Sequence, residues 1–333
     1  MGRLRKLCRE TLRLSELPLR ESIAATGCLV LLAAAVAADE SPLGESRVDA
    51  FKVVGEVVKV QGGFEFVEGP TMAADGAVYF TDIPANQILV WKAGEKAKRW
   101  LEPSMHANGL LAEAGGKLVA CQMDGRVVAY DLGSKQETVL ADSYNGRRFN
   151  APNDLVIDQV GGVYFTDPLY RAPQPLPQDI QAVYYIAVDG SVTRVSDALP
   201  APNGIGLSPD GKSLYVIPSM SAEMLVYDVI APGKLSEPRI FCNLKQRNQT
   251  DNSGGDGMAV DTRGNLFITS NLGVQVFAAN GSWLETIKFP EQPANVSFAG
   301  PERRMLVVTA RTGLYTVEVS TSGLQAGHLR VAP

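Results

Sequence analysis

The chain has 333 residues, of which 45% are hydrophobic and 20% are charged, and its mean hydropathy is zero. This composition is typical of a folded globular protein and excludes a disordered chain or a protein with many membrane spans. The formal net charge is −5 and there is no run of lysines and arginines, so a nucleic-acid partner is not expected.

The first 50 residues have the composition of an export signal. Residues 1–23 are basic and polar, residues 24–38 form an apolar run, and Ala35-Val36-Ala37 offers a small-x-small cleavage site. The apolar run is shorter than the about 20 residues that cross a bilayer as a helix. We expect a cleaved signal peptide over 1–37, a linker over 38–50, and an exported, periplasmic or secreted protein whose only membrane contact is the transient signal segment. An uncleaved anchor and a cytosolic protein with a misread start are the alternatives.

Two absences limit the chemistry that the chain can perform. Two histidines, His106 and His328, are too few for a multi-histidine zinc site, and the four cysteines have no CxxC spacing, so a metal would need oxygen ligands. Dinucleotide, P-loop and nucleophile-elbow motifs are missing as well.

Export would bring Cys121 and Cys242 into an oxidising compartment, where a disulfide and two buried thiols are both compatible with the sequence.

From residue 51 onward the chain consists of short similar segments. Runs of Val, Ile, Tyr and Phe alternate with Gly, Asp, Asn and Pro, which is typical of strands and turns. Each of six segments begins with a polar residue, continues with a small apolar strand and a tight turn, and ends with a more aromatic strand. The leading residues, about 45 positions apart on average, are Glu68, Asn108, Asn153, Asn203, Asp256 and Asn295.

A repeat of about 45 residues has the length of a four-stranded propeller blade. We therefore predict an all-β protein, a six-bladed β-propeller over residues 51–320, followed by a C-terminal tail over 321–333. Because Glu68 begins the innermost strand of the first blade, the Val-rich stretch 51–60 precedes that blade. We expect this stretch to pair as the outer strand of the last blade, which closes the ring and leaves no sheet edge exposed.

The six leading residues are predicted to form a ring at one mouth of the central channel, because the innermost strands of a propeller run parallel around it. Their oxygen-bearing side chains, with two carboxylates, suit a hard cation such as Ca²⁺ or Mg²⁺. Without a cation, Glu68 and Asp256 would repel each other across the mouth. The alternative is that Asn, Asp and Glu before Gly or Pro only shape turns.

Four motifs in this order resemble the SMP-30/gluconolactonase family of six-bladed propellers, and the resemblance covers about residues 60–315. The motifs are Glu68-Gly-Pro, Asn150-Ala-Pro-Asn153-Asp154, Pro202-Asn203-Gly204 and Gly254-Gly255-Asp256-Gly257. The resemblance implies that Glu68, Asn153, Asn203 and Asp256 hold one divalent cation, and that Asp256 is also the base or orients water. Ca²⁺ is the expected ion, with Mg²⁺, Mn²⁺ and Zn²⁺ as alternatives. The chain has Cys121-Gln122-Met123 where many members carry a histidine, which leaves the substrate open.

A divalent cation with open coordination positions can polarise a carbonyl group and activate water, and the opening of a lactone needs both effects. We predict an exported metal-dependent hydrolase of a small, sugar-type lactone, with the ion as Lewis acid and Asp256 as base. One alternative is a hydrolase of phosphotriesters or other esters at the same site. Another is a non-catalytic propeller that binds a ligand. No protein partner is predicted.

Further residues near the expected mouth are predicted to contact the substrate or support the ligands. The substrate-binding candidates are Asn108, Arg148, Asn150, Tyr170 and His106. Asp154 is expected to brace the loop of Asn153 by accepting backbone hydrogen bonds. The alternatives are a solvated loop charge for Arg148 and a turn residue for His106.

Overall fold

A computed structural model describes residues 51–197 and 199–331, and these form six antiparallel sheets arranged as a β-propeller. The prediction of an all-β, six-bladed propeller is confirmed. The predicted signal peptide and linker lie outside the described residues. Within the described ranges no helix has the length and apolar character to cross a membrane.

The strands follow one another blade by blade along the chain, after an opening strand β1 (Val58–Gly62). The first blade comprises β2 (Val67–Met72), β3 (Val78–Asp82), β4 (Gln87–Trp91) and β5 (Lys98–Leu101). The second comprises β6 (Ala107–Ala112), β7 (Lys117–Gln122), β8 (Arg126–Asp131) and β9 (Glu137–Ala141), and a separate hairpin of β10 (Ser143–Tyr144) and β11 (Arg147–Arg148) follows it. The third comprises β12 (Leu155–Ile157), β13 (Val163–Asp167), β14 (Ala182–Ile186) and β15 (Val192–Ser196).

The second half of the ring repeats this arrangement with one addition. The fourth blade comprises β16 (Pro202–Leu207), β17 (Ser213–Pro218), β18 (Glu223–Ala231) and β20 (Arg239–Asn243), with a short β19 (Lys234–Leu235) paired to the end of β18. The fifth comprises β21 (Met258–Val260), β22 (Leu266–Ser270), β23 (Gly273–Phe277) and β24 (Trp283–Ile287). The sixth contains β25 (Pro293–Ala299), a 3₁₀ turn (Pro301–Arg303), β26 (Met305–Ala310) and β27 (Gly313–Glu318).

The N-terminal strand closes the ring, as predicted. β1 pairs antiparallel with β27, with Val58 opposite Thr316, and thereby becomes the outer strand of the sixth blade. The pairing starts at Val58 rather than at residue 51, and upstream only an isolated bridge joins Val53 to Val319. The first and last parts of the propeller therefore share one sheet.

The core lies between adjacent blades. All five residues of β13, Val-Tyr-Phe-Thr-Asp, are buried, because the sheet that contains them packs against a neighbour on each face. Between the first two blades, Trp100 contacts Tyr79 and Tyr130 edge-on with ring centroids 5.4 and 5.7 Å away. The apolar character of β13 and the aromatic contacts between blades thus follow from packing on both faces of each sheet.

Residues 320–331, which we call the C-terminal strap, link blades that are not neighbours in the ring. Near its start, Thr321 Oγ1 donates to Asp261 Oδ2 at 2.8 Å in the fifth blade. Near its end, the Arg330 backbone amide donates to Gly161 O at 3.0 Å in the third blade, and Val331 packs into the core there. Between these points, residues 324–327 line the lower end of the central channel.

The two described cysteines are separate buried thiols. Cys121 belongs to the core between the second and third blades, and Cys242 lies on β20. Burial raises the pKa of the Cys242 thiol to about 12. Of the two arrangements that the sequence allows, the structure has the unbonded one.

Candidate functional site

In three of the six blades, a threonine on the second strand holds the start of the inner strand of the next blade. The hydroxyl groups of Thr81, Thr166 and Thr269, on the second strands of three blades, are fully buried. They donate to Asn108 O at 3.0 Å, Asn203 O at 2.8 Å and Ala294 O at 2.7 Å in the next blade. The main chain that carries the ring residues is therefore held by the blade before it.

Glycines next to the ring residues let the inner strands approach one another closely. The Gly109 amide donates to Asn153 O at 2.7 Å, and the Gly204 amide donates to Asp256 O at 2.9 Å. A Cβ atom added to Gly204 would lie 2.5 Å from Asp256 O, which real contacts do not allow. The Asn-Gly pairs in the repeats are therefore explained by packing around the channel as well as by turn formation.

The four predicted ligands, Glu68, Asn153, Asn203 and Asp256, are called the quartet here. They face one cavity at the mouth of the channel, which we call the upper cavity. It has a volume of about 910 Å³ and is lined by Glu68, Asn108, Asn153, Asn203 and Asp256, among others. Asn203 Nδ2 donates to Asp256 Oδ1 at 2.7 Å. Residues that are far apart in the chain are thus gathered at one end of the propeller.

The two carboxyl groups at this mouth have perturbed proton affinities. Burial raises the pKa of Glu68 well above its usual range, and the nearby Asp256 raises it further. Burial also raises the pKa of Asp256, to about 6, against the hydrogen bond from Asn203 and the charge of Arg311. Two negatively charged carboxylates at one enclosed cavity are thus unfavourable unless a cation lies between them.

The donor set fits a hard divalent cation. Two carboxylates and two amide oxygens face the same cavity, and these are the ligand types that Ca²⁺ and Mg²⁺ prefer. Across the described ranges, no three Asp, Glu, His or Cys side chains gather as a metal-binding group. This follows from the composition of the quartet, since half of its members are asparagines.

Asn295 and Asp154 lie on the other side of the ring, in a second cavity of about 370 Å³ that we call the lower cavity. Asp154 Oδ1 accepts one hydrogen bond, from the amide of Leu155 at 2.9 Å. Burial raises the pKa of Asp154 to about 7, while this bond and one with Asn295 oppose the rise. Five of the six ring members therefore face the upper cavity, and Asn295 does not.

Residues 66–312 match the family described as the SMP-30/gluconolactonase/LRE-like region. The chain belongs to this family. It is 31% identical over 303 residues to a gluconolactonase from Zymomonas mobilis subsp. mobilis, across 83% of this chain and 85% of the relative.

Solved structures agree with this assignment. A gluconolactonase from Xanthomonas campestris superposes with a TM-score of 0.72 at 26% identity, covering 81% of this chain and 95% of that one. Regucalcin from Agrobacterium tumefaciens, a calcium-binding protein, has a TM-score of 0.71 at 19% identity, covering 84% of this chain and 98% of its own, a likeness of fold.

In this family member, the other predicted substrate contacts fall into two groups. Tyr170 lines the upper cavity beside Asn108, and its hydroxyl lies 3.4 Å from Asn203 Nδ2. Asn150 does not reach the cavity, because its side chain is buried and bonded to Gln178 N and Ile180 O at 3.0 Å each.

Arg148 and His106 are also absent from the cavity wall. The Arg148 guanidinium donates to Phe149 O at 3.0 Å and to Asn150 O at 3.3 Å. The His106 ring lies 3.0 Å from an Asp124 carboxylate oxygen. Local loop contacts therefore occupy both side chains, and the structure brings neither to the substrate position that the sequence predicted.

Several cavity residues were missed by the sequence reasoning. They lie just after second strands or in the loops between blades, and they include Phe66, Ile83, Arg171, Ser219, Arg247 and Gln292. Ile83, Met123 and Ser219 come at or within one residue of the end of a second strand, at equivalent points of the repeat. That shared position is the signal that would have found Ile83 and Ser219.

Proposed function

We propose that the protein hydrolyses small lactones with the help of one divalent cation held by Glu68, Asn153, Asn203 and Asp256. The observation that carries the proposal is the gathering of two carboxyl groups and two amides at one cavity, with Glu68, Asn153 and Asn203 buried. The identity to a protein named gluconolactonase over most of both chains supports lactones as substrates. In the reaction, water adds to the lactone carbonyl and the ring C–O bond breaks to give a hydroxy acid.

The cation, when bound, supplies polarisation of the lactone carbonyl and lowers the pKa of water. Asp256 is the proposed base. Its Oδ1 accepts from Asn203, which orients the carboxylate and leaves Oδ2 free to take a proton from water. Ser219 Oγ, at 3.0 Å from Asn203 Nδ2, helps to hold this amide in place.

The proposal extends to the cellular location. Residues 1–37 have the basic, apolar and small-x-small pattern of a signal peptide, and export of the mature propeller rests on that pattern alone.

Asp256→Asn tests the proposed base while it keeps the size of the side chain. We expect cation binding to weaken, because an amide replaces a carboxylate ligand, and kcat on glucono-δ-lactone at saturating Ca²⁺ to fall at least about 100-fold, because the proton acceptor is lost. Acid release in a pH-stat gives the rate, and Asp228→Asn on the exposed face of the fourth blade is the matched control.

The same assay tests the cation. EDTA should abolish acid release, and Ca²⁺, Mg²⁺, Mn²⁺ or Zn²⁺ should restore it. Turnover by Asp256→Asn at the parental rate would exclude this base, and indifference to the chelator would exclude the cation. Faster hydrolysis of a phosphotriester than of any lactone would assign the other esterase activity instead.

A further inference from the structure

One side of the upper cavity is apolar. The first two blades contribute Phe66, Ile83, Pro84 and Met123, which we call the apolar wall. The other blades contribute mainly charged and amide side chains, which include Arg171, Arg247, Asn252, Asn271 and Gln292. A molecule bound at the quartet thus meets hydrocarbon on one side and hydrogen-bonding groups on the other.

The apolar wall is a packed unit rather than a set of loose side chains. Ile83, Met123 and Ala151 form one buried cluster, with Phe66 packed against it. Ile83 is 8% exposed and Met123 is 3% exposed. The Phe66 amide donates to Asp82 Oδ1 at 3.0 Å, which fixes the backbone there. The shape of the wall is therefore set before a ligand arrives.

A polyhydroxylated ring is a poor match for this wall. A hydroxyl group that leaves water without a new partner loses hydrogen-bond free energy. The nearest ring member, Asn108, has its amide Nδ2 3.8 Å from the Met123 Sδ atom, a weak acceptor. An alkyl or aryl group would gain from burial there, and a volume of about 910 Å³ leaves room for one beside the lactone ring.

We propose that the lactones this site turns over best carry an alkyl or aryl substituent on the ring, which lies against Phe66, Ile83 and Met123. This inference rests on the proposed hydrolase function and specifies its substrate class. Met123 and Ile83 are then the residues that determine specificity, and they act on substrate binding rather than on the chemical step.

The test compares δ-valerolactone, its 5-pentyl derivative δ-decalactone, and glucono-δ-lactone with the intact protein. We expect kcat/KM for the pentyl lactone to exceed the other two values about 10-fold or more. Met123→Gln should lower kcat/KM for the pentyl lactone about 5–10-fold more than for δ-valerolactone, mainly through KM. Ile83→Thr is a second variant should Met123→Gln fail to fold, and Ile230→Thr, at a site 60% exposed on β18, is the matched control.

A binding measurement separates this inference from the hydrolase function. Calorimetric titration compares 2-piperidone with its 6-pentyl derivative, lactams that resist hydrolysis. Tighter binding of the 6-pentyl lactam, with the difference removed by Met123→Gln, would support the apolar wall. This holds even if no lactone is hydrolysed, in which case only the proposed activity fails. If chelator-sensitive gluconolactone hydrolysis occurs without a pentyl preference in rate or binding, the activity holds and the wall assignment is wrong.

Discussion

Glu68 illustrates how a buried carboxyl group at the candidate site lowers the stability of the fold. It is 4% exposed, and its carboxylate accepts a hydrogen bond from the Gly69 amide at 3.0 Å. Burial and the neighbouring Asp256 both raise its pKa. A buried carboxyl group in this situation lowers stability unless an opposite charge accompanies it. The proposed cation therefore accounts for this residue, whereas packing does not.

Glu68→Gln should consequently stabilise the cation-free protein by about 1–3 kcal/mol, because the buried charge is removed while the shape is kept. The same change should abolish the rise in Tm that Ca²⁺ gives the parent. Differential scanning calorimetry in EDTA and in millimolar Ca²⁺ measures both effects, with exposed Glu56→Gln as control. A variant that keeps the full Ca²⁺ response would show that Glu68 is not a ligand.

At this scale the sequence predicted positions better than side-chain directions. Repeat position alone brings Glu68, Asn153, Asn203 and Asp256 to one cavity, since equal positions on inner strands lie at equal heights. The direction of Asn150 depends on bonds to Gln178 and Ile180, almost 30 residues further along the chain. Such contacts give no repeating pattern in the sequence. The position of Asn150 close to Asn153 in the chain therefore did not indicate where its side chain lies.

The Phe-Thr-Asp sequence, which recurs on second strands, holds neighbouring strands and loops in place at the candidate site. Thr166 donates to Asn203 O in the next blade and accepts from the Asp154 amide at 3.1 Å. The following Asp167 accepts the amides of Asn150 and Ala151 at 2.9 and 2.7 Å. Two consecutive residues thus tie together the entry loop of their own blade and the inner strand of the next.

Thr166→Val should lower the free energy of unfolding by about 2–3 kcal/mol, because it leaves a buried carbonyl and a buried amide without a partner. It should also weaken cation binding, since Asn153 and Asn203 lie on the freed segments. Urea denaturation and isothermal titration with Ca²⁺ measure the two effects.

Thr166→Ser is the control for this prediction, because it keeps the hydroxyl and loses only a methyl group. It should lose about 1 kcal/mol and bind Ca²⁺ like the parent. A valine variant as stable as the serine variant would contradict the role given to this hydroxyl.

The blades were predictable as elements, whereas the short additions to them were not. Hydrophobic runs and turns recur in each repeat, so strands such as β13 and β22 stand out. The two-residue strands β10, β11 and β19 are too short for periodicity and depend on local pairing. They carry no ring residue, and the sequence pattern did not indicate them.

At the scale of the whole molecule, one carboxylate stabilises the ring closure. Glu291, in the turn before β25, accepts from Lys59 Nζ at 2.7 Å on β1. It also accepts from Tyr315 OH at 2.6 Å and from the Thr312 amide at 2.9 Å, both in the sixth blade. The strand that closes the propeller is thereby held to the hairpin beside it.

This arrangement predicts a pH dependence of stability. Burial alone would raise the pKa of Glu291, but the bonds from Lys59, Tyr315 and Thr312 bring it from an ordinary 4.5 to about 2. Because the folded-state pKa is depressed, the stabilisation is complete above about pH 5 and is lost as pH falls from 4.5 towards 2.

Glu291→Gln should therefore cost about 1–2 kcal/mol at pH 7, and the difference from the parent should vanish near pH 2. Urea denaturation of both proteins between pH 7 and pH 3 checks the convergence. A difference that stays constant over this range would mean that the charge of Glu291 contributes nothing to closure.

The C-terminal strap makes the two ends of the central channel different. Because residues 324–327 line the lower cavity and the strap is bonded to the fifth and third blades on either side, the strap covers part of the lower end of the channel, whereas the quartet lies at the opposite end. Under the proposed function, a lactone therefore reaches the quartet, and its hydroxy acid leaves, at the end of the propeller that the strap does not cover.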